Sequence, residues 1–132
     1  MCKRLLVMED HAPTRKLVRL AVAPLALEVS EASDVDEALR CVELARPDIA
    51  IVDVMVPGAR NGYDLSAILK DRYGDDVKII ILTARTDAAD RAMARAARAD
   101  HYLTKPFNYP ELVYIVASEI AKAARPQPRA AL

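Results

Sequence analysis

Tryptophan is absent from this chain, and aromatic residues make up only 5% of its 132 positions. That composition argues against a surface of rings on which nucleic-acid bases stack. Cysteine occurs twice, as Cys2 and Cys41, in no metal-ligand or redox spacing. The chain therefore needs no disulfide framework and suits a reducing compartment. No sign of charge is in excess: 19 Lys and Arg balance 19 Asp and Glu. Such a balance gives no long-range field to attract nucleic acid or an anionic membrane. Long apolar runs are missing as well, and those present are far too short to span a bilayer. Glu9 and Asp10 interrupt the N-terminus before the apolar region of a signal peptide forms. These absences predict a cytoplasmic protein with no nucleic-acid partner and no membrane partner.

What remains is a globular composition, 53% hydrophobic and 29% charged, in a length that suits one domain. Short apolar runs alternate with segments of helical period. The runs are Leu5 to Met8, a weaker one at Leu27 to Val29, Ile49 to Val52, Ile79 to Leu82, and Tyr102-Leu103. Unbroken apolar runs read as strands covered on both faces, the mark of a parallel sheet. Between them, helical spacing puts on one face Leu17, Leu20 and Ala21, then Ala38, Leu39 and Val42, then Leu65, Ile68 and Leu69. The same spacing groups Ala89, Met93 and Ala96, and last Leu112, Val116 and Ile120. Pro24, Pro47, Gly58, Gly62 and Gly74 punctuate the pattern, and Asn108 to Glu111 reads as a helix cap. Five β-α repeats with right-handed crossovers predict a three-layer α/β sandwich. Residues 1–125 form the domain in this reading, and 126–132 a short tail with no linker to a second domain.

In an open parallel sheet, ligands bind beyond the carboxyl ends of the strands. The residues predicted there are Glu9, Asp10, Asp53, Thr83 and Lys105. Three carboxylates crowded on one rim need a cation or they take up protons. An oxygen-only donor set beside open water positions suits Mg²⁺, whereas softer metals want His or Cys. One carboxylate is then free to act as a nucleophile and form an acyl phosphate. Lys105 and the metal would neutralise the phosphoryl oxygens, and Thr83 would donate a hydrogen bond to one.

With those residues in order, the chain resembles the CheY-like receiver domains of two-component response regulators. The resemblance runs from about Lys3 to Arg125. It rests on Val7-Met8-Glu9-Asp10, Ile51 to Pro57 around Asp53, Leu82-Thr83-Ala84, and Tyr102 to Phe107 around Lys105. It implies a flavodoxin-like (βα)5 fold with a parallel five-stranded sheet of order 2-1-3-4-5. It also implies that Asp53 is the phosphoacceptor. Glu9, Asp10, Asp53 and the backbone carbonyl of Met55 would hold the Mg²⁺. Thr83 and Lys105 would contact the phosphoryl group, and Tyr102 would be the switch aromatic that follows Thr83. A cis Lys105-Pro106 bond is implied too. The donor would be a histidine kinase or a histidine phosphotransfer protein. The output would be a changed affinity for a downstream protein, not turnover of a separate substrate, so this is no enzyme in the ordinary sense. The sequence departs from the family pattern at Glu9, at Val35, in the longer loop Gly58 to Asn61, at Arg98, and at His101.

Rival readings fit less well. An aspartate-nucleophile hydrolase of the haloacid dehalogenase type needs a second Asp where Met55 stands, and a cap the chain has no length for. A flavodoxin-like mononucleotide binder needs a phosphate loop after the first strand, and Glu9-Asp10-His11 would repel phosphate. A receiver used only as a constitutive adaptor would not need the full phosphorylation set. Arg91, Arg95 and Arg98 form either a docking stripe or a solvated face, with Asp87 and Asp90 suiting the start of the fourth helix and the arginines its end. Arg91, Arg95, Tyr102 and Tyr114 are the expected interaction surface, used for a partner or for a homodimer through the helix 4–strand 5–helix 5 face. Tyr114 as an ordinary exposed aromatic is the alternative.

Overall fold

The computed structural model describes residues 2–84 and 88–124. Asp87, Arg125 and the tail 126–132 lie outside the described residues. Five strands, β1 (Arg4–Met8), β2 (Glu28–Ala32), β3 (Ile49–Asp53), β4 (Lys78–Thr83) and β5 (His101–Thr104), pair in the order β2-β1-β3-β4-β5. Every pairing is parallel, with Val7 opposite Ile51, Val52 opposite Ile81 and Ile81 opposite Tyr102. The helices are α1 (Ala12–Val22), α2 (Val35–Leu44), α3 (Gly62–Tyr73), α4 (Ala88–Ala97) and α5 (Tyr109–Ala124). The three-layer sandwich is the one the repeats predict, and its flavodoxin-like strand order is the one the resemblance implies.

Side-chain alternation along the strands builds two cores from one sheet. Leu6, Met8, Ala50, Val52, Ile79 and Ile81 point to the layer holding α2, α3 and α4, where Ala38, Val42, Leu65 and Leu69 meet them. Leu5, Val7, Ile49, Ile51, Ile80 and Leu82 point the other way, onto Val18, Val22, Leu112 and Val116 of α1 and α5. The central strands are therefore apolar on both faces between their ends, at Leu5–Met8, Ile49–Val52 and Ile79–Leu82. The edge strand β2 is buried only at its last residue, Ala32.

Two helical faces differ from the periodic reading. On α1, Leu17 and Leu20 are 51% and 59% exposed, and Val18 and Val22 fill the core instead. Only a narrow i, i+4 seam of this helix meets the sheet. On α4, Ala89 and Ala96 are exposed and Met93 is 43% exposed. Its inward face is Asp90, Ala94 and Ala97 at i, i+4 and i+7, so a polar residue occupies the place hydropathy reserved for an apolar one. Asp90 is thus buried rather than a surface charge at the helix start.

Local chemistry sets the entry to α3. Asn61 accepts a hydrogen bond from the Asp64 amide, and Asp64 accepts one from the Asn61 amide, a reciprocal cap. Arg60 in the longer preceding loop reaches Asp36 of α2 at 2.5 Å. Asn108 caps α5 in the expected way, accepting from the Glu111 amide at 3.0 Å. Arg98 ends α4 in the left-handed region, at φ 58°. Its guanidinium donates to Asp71 at 2.5 Å and to the Ala67 carbonyl at 3.2 Å, so it ties α4 back to α3.

Candidate functional site

The rim at the carboxyl ends of β1, β3, β4 and β5 gathers the charged residues. Glu9 follows β1 directly, its amide donating to the Ala32 carbonyl at 2.9 Å, and its side chain is buried. Arg15 of α1 donates to the Glu9 carbonyl at 2.7 Å and braces this turn from outside. Asp10, next in the chain, is exposed. Asp53 ends β3 and is buried. Glu9, Asp10 and Asp53 each present a carboxylate oxygen within 4.8 Å of the others. Lys105 closes the group, with its ammonium 3.1 Å from Asp53 and 3.5 Å from Glu9. Its amide donates to the Thr83 carbonyl at 2.7 Å, which locks the turn after β5 to the end of β4. The Lys105-Pro106 bond is cis.

Electrostatics follow from this crowding. Burial pushes the Glu9 carboxyl up to about 8, and a hydrogen bond and repulsion from Asp53 add to it, while Lys105 pulls the other way. Burial alone would lower the Lys105 ammonium, but Asp53 and Glu9 outweigh it and hold its pKa above the usual lysine range. The raised Glu9 carboxyl is the cost of crowding buried carboxylates without a cation. A donor set of carboxylate oxygens, two buried and one open to water, fits a hard divalent cation of the Mg²⁺ kind. Met55, two residues past Asp53, has an exposed side chain.

Thr83 is wholly buried at the end of β4. Tyr102 is half-buried against the core, its hydroxyl 3.0 Å from that of Tyr63. Periodicity and motif do not single out Tyr63 or Arg15, and they mark Asp90 only as a charge at the start of a helix. Tyr63 follows Gly62, and that adjacency to the loop after Asp53 is the one signal that points to it. The other proposed surface residues fall on different helices. Arg91 and Arg95 are exposed on α4. Tyr114, 72% exposed on α5, lines an apolar groove with Ala21 of α1 and Tyr109, Pro110, Val113 and Ala117. His11, the exposed neighbour of the acidic pair, caps α1 and contacts the Thr14 hydroxyl at 2.6 Å. Cys41 is half-buried, and burial pushes its thiol up, away from reactivity.

A five-stranded doubly wound sheet with an acidic rim, a buried hydroxyl and a lysine defines a class of phosphate-handling signalling domain. Residues 5–117 match the family model for the response regulator receiver domain, and the chain belongs to that family. It is 34% identical over 113 residues to the phosphate regulon transcriptional regulatory protein PhoB of Escherichia coli K12, covering 86% of this chain and 49% of PhoB. It is 33% identical over 122 residues to the DNA-binding response regulator MtrA of Mycobacterium tuberculosis, covering 92% of this chain and 52% of MtrA. The chain therefore spans about half the length of the curated relatives it matches. The signal receiver domain of a histidine kinase from Syntrophus aciditrophicus superposes with a TM-score of 0.85 at 25% identity, over 97% of both chains. Among the described residues no helix is long and apolar enough to cross a membrane.

Proposed function

We propose that Asp53 accepts a phosphoryl group from the phosphohistidine of a histidine kinase or phosphotransfer protein. An Asp53 carboxylate oxygen attacks phosphorus, the new O–P bond forms as the donor N–P bond breaks, and the histidine nitrogen leaves with the electron pair. The observation that carries this reading is the Lys105 ammonium 3.1 Å from Asp53, on a rim where three carboxylates converge. A cation there offsets charge that builds on the transferred group. Glu9, Asp10, Asp53 and the Met55 carbonyl are the residues that would hold Mg²⁺, which supplies further neutralisation of the phosphoryl oxygens. Lys105 orients one phosphoryl oxygen, and the Thr83 hydroxyl donates to another. The output is a changed affinity for another protein, and the domain turns over no substrate besides its own phosphoryl group. The balanced net charge supports a partner protein over nucleic acid for this domain. MtrA is named as DNA-binding, and half of its length lies beyond the match. A homodimer through α4, β5 and α5 belongs to the same proposal.

Acetyl phosphate with Mg²⁺ should phosphorylate the wild-type chain, detected as an 80-dalton gain at Asp53, roughly the mass of one added phosphoryl group. Asp53→Asn keeps the shape and loses the nucleophile, so labelling should vanish. Labelling of Asp53→Asn at the wild-type rate removes Asp53 from this role.

A further inference from the structure

We propose that the Tyr63 hydroxyl is the fixed post through which the phosphoacceptor rim is coupled to the first turn of α4, a positioning role that rests on the reading of Asp53 and Thr83 above. Tyr63 is 4% exposed and sits at the second residue of α3. Its backbone is pinned to the end of β3. The Gly62 amide donates to the Val54 carbonyl at 3.1 Å, and the Asn61–Asp64 cap fixes the same turn. The Gly62 Cα packs so close to the phosphoacceptor that an added Cβ would lie 2.4 Å from the Asp53 carbonyl oxygen. Three groups from three other elements meet the phenol held there. The Tyr102 hydroxyl of β5 is 3.0 Å away, the Asp90 carboxylate of α4 is 3.5 Å away, and the Thr83 hydroxyl of β4 hydrogen-bonds it.

The stoichiometry makes these contacts interdependent. A phenol has one proton to give and lone pairs that accept, whereas a carboxylate only accepts. Tyr63 therefore donates to Asp90, and Tyr102 must donate to Tyr63 when both bonds exist together. Thr83 donates to the same oxygen. The chain runs Tyr102 to Tyr63 to Asp90, with Thr83 as a side branch, and each donation into Tyr63 strengthens the one out of it. The Asp90 contact is long for an O–H···O bond and the Tyr102 contact nearly ideal. Drawing Thr83 toward a phosphoryl oxygen removes one donor from Tyr63. That loss is felt at Asp90, a residue 1% exposed. The first turn of α4 is the part of the fold biased by this network.

Amide hydrogen exchange across 88–97, with and without beryllofluoride as phosphoryl mimic, tests the coupling. Exchange there should change in the wild type. In Tyr63→Phe, which keeps the ring, acetyl phosphate should still label Asp53 while the change in α4 shrinks by about 2- to 12-fold, the worth of one net hydrogen bond. Tyr102→Phe removes the same bond from the half-exposed side. It should shrink the response by less, and the double variant should show no loss beyond that of Tyr63→Phe, which already removes the shared bond. Should Tyr63→Phe fail to fold, additive rather than shared loss between Tyr102→Phe and Thr83→Val, which removes the hydroxyl, overturns the proposal. A wild-type response kept in full by Tyr63→Phe overturns this inference alone. A wild type silent to both acetyl phosphate and beryllofluoride overturns the Asp53 reading and this one with it.

Discussion

A methyl group on Gly62 would lie 2.4 Å from the Asp53 carbonyl oxygen and 2.8 Å from a Val52 methyl. The first of these is backbone at the end of β3, paired with β4, so it has no side-chain freedom with which to yield. Overpacking of this sort costs about 1–3 kcal/mol. Gly62→Ala should lower stability by that amount, read from the midpoint of urea denaturation. The strain falls on the residue that carries the nucleophile, so phosphorylation by acetyl phosphate should slow by about 10- to 100-fold, the scale on which small misplacements act. Lost stability with an unchanged rate would mean that α3 moves away and Asp53 stays. The buried polar residues Tyr63 and Asp90 belong to the same scale. They were not legible in the sequence, because their meeting joins positions 27 residues apart through a hydroxyl, and periodicity records only apolarity.

The elements were legible to the degree that burial is symmetrical. β3 and β4 are buried on both faces and stand out as unbroken apolar runs, whereas β2, at the edge, alternates and reads weakly. The strand ends were legible for the same reason, and with them Glu9, Asp53, Thr83 and Lys105. The faces of α1 and α4 were not. Leu17 and Leu20 form an apolar pair that faces outward, and the inward face of α4 holds Asp90. At the end of α4, backbone strain competes with a side-chain contact. Arg98 adopts a left-handed conformation that costs a residue with a Cβ roughly 1–2 kcal/mol. Against this stands an exposed bridge to Asp71, a kind of contact worth about 0.2–1 kcal/mol. Strain outweighs the bridge, so Arg98→Gly should leave stability unchanged or raise it by up to about 1 kcal/mol. Asp71→Ala should cost a few tenths of a kcal/mol, about the worth of an exposed pair, in the wild type and nothing in the Arg98→Gly background. Thermal denaturation of the four proteins measures all three differences. A net loss on Arg98→Gly would show that the bridge and the Ala67 contact outweigh the strain.

At the scale of the whole molecule, the acidic rim makes folding stability depend on pH and on divalent cations together. Glu9 has an ordinary carboxyl in the unfolded chain but is pushed up to about 8 in the fold, by burial first and by Asp53 second. Between the unfolded value of 4.5 and about 8, the folded state holds a proton that the unfolded state has lost. Stability falls with rising pH wherever the native state binds more protons. The contribution of Glu9 is therefore greatest below its unfolded pKa and is lost as pH rises through the folded one. Lys105 tempers the loss, because its ammonium, charged throughout that window, attracts the ionised Glu9. Glu9→Gln cannot ionise, so it should flatten the decline between pH 5 and 8, a window set by the raised carboxyl, and should be more stable than wild type at its upper end. Mg²⁺ in excess should stabilise the wild type more at pH 8 than at pH 5, since it binds ionised Glu9 and competes with the proton that Glu9 holds. In Glu9→Gln the pH dependence of that gain should largely disappear. Denaturation midpoints at both pH values, with and without Mg²⁺, decide the matter. A wild type whose metal-free stability rises from pH 5 to 8 would mean that Lys105, and not the proton, neutralises the buried pair.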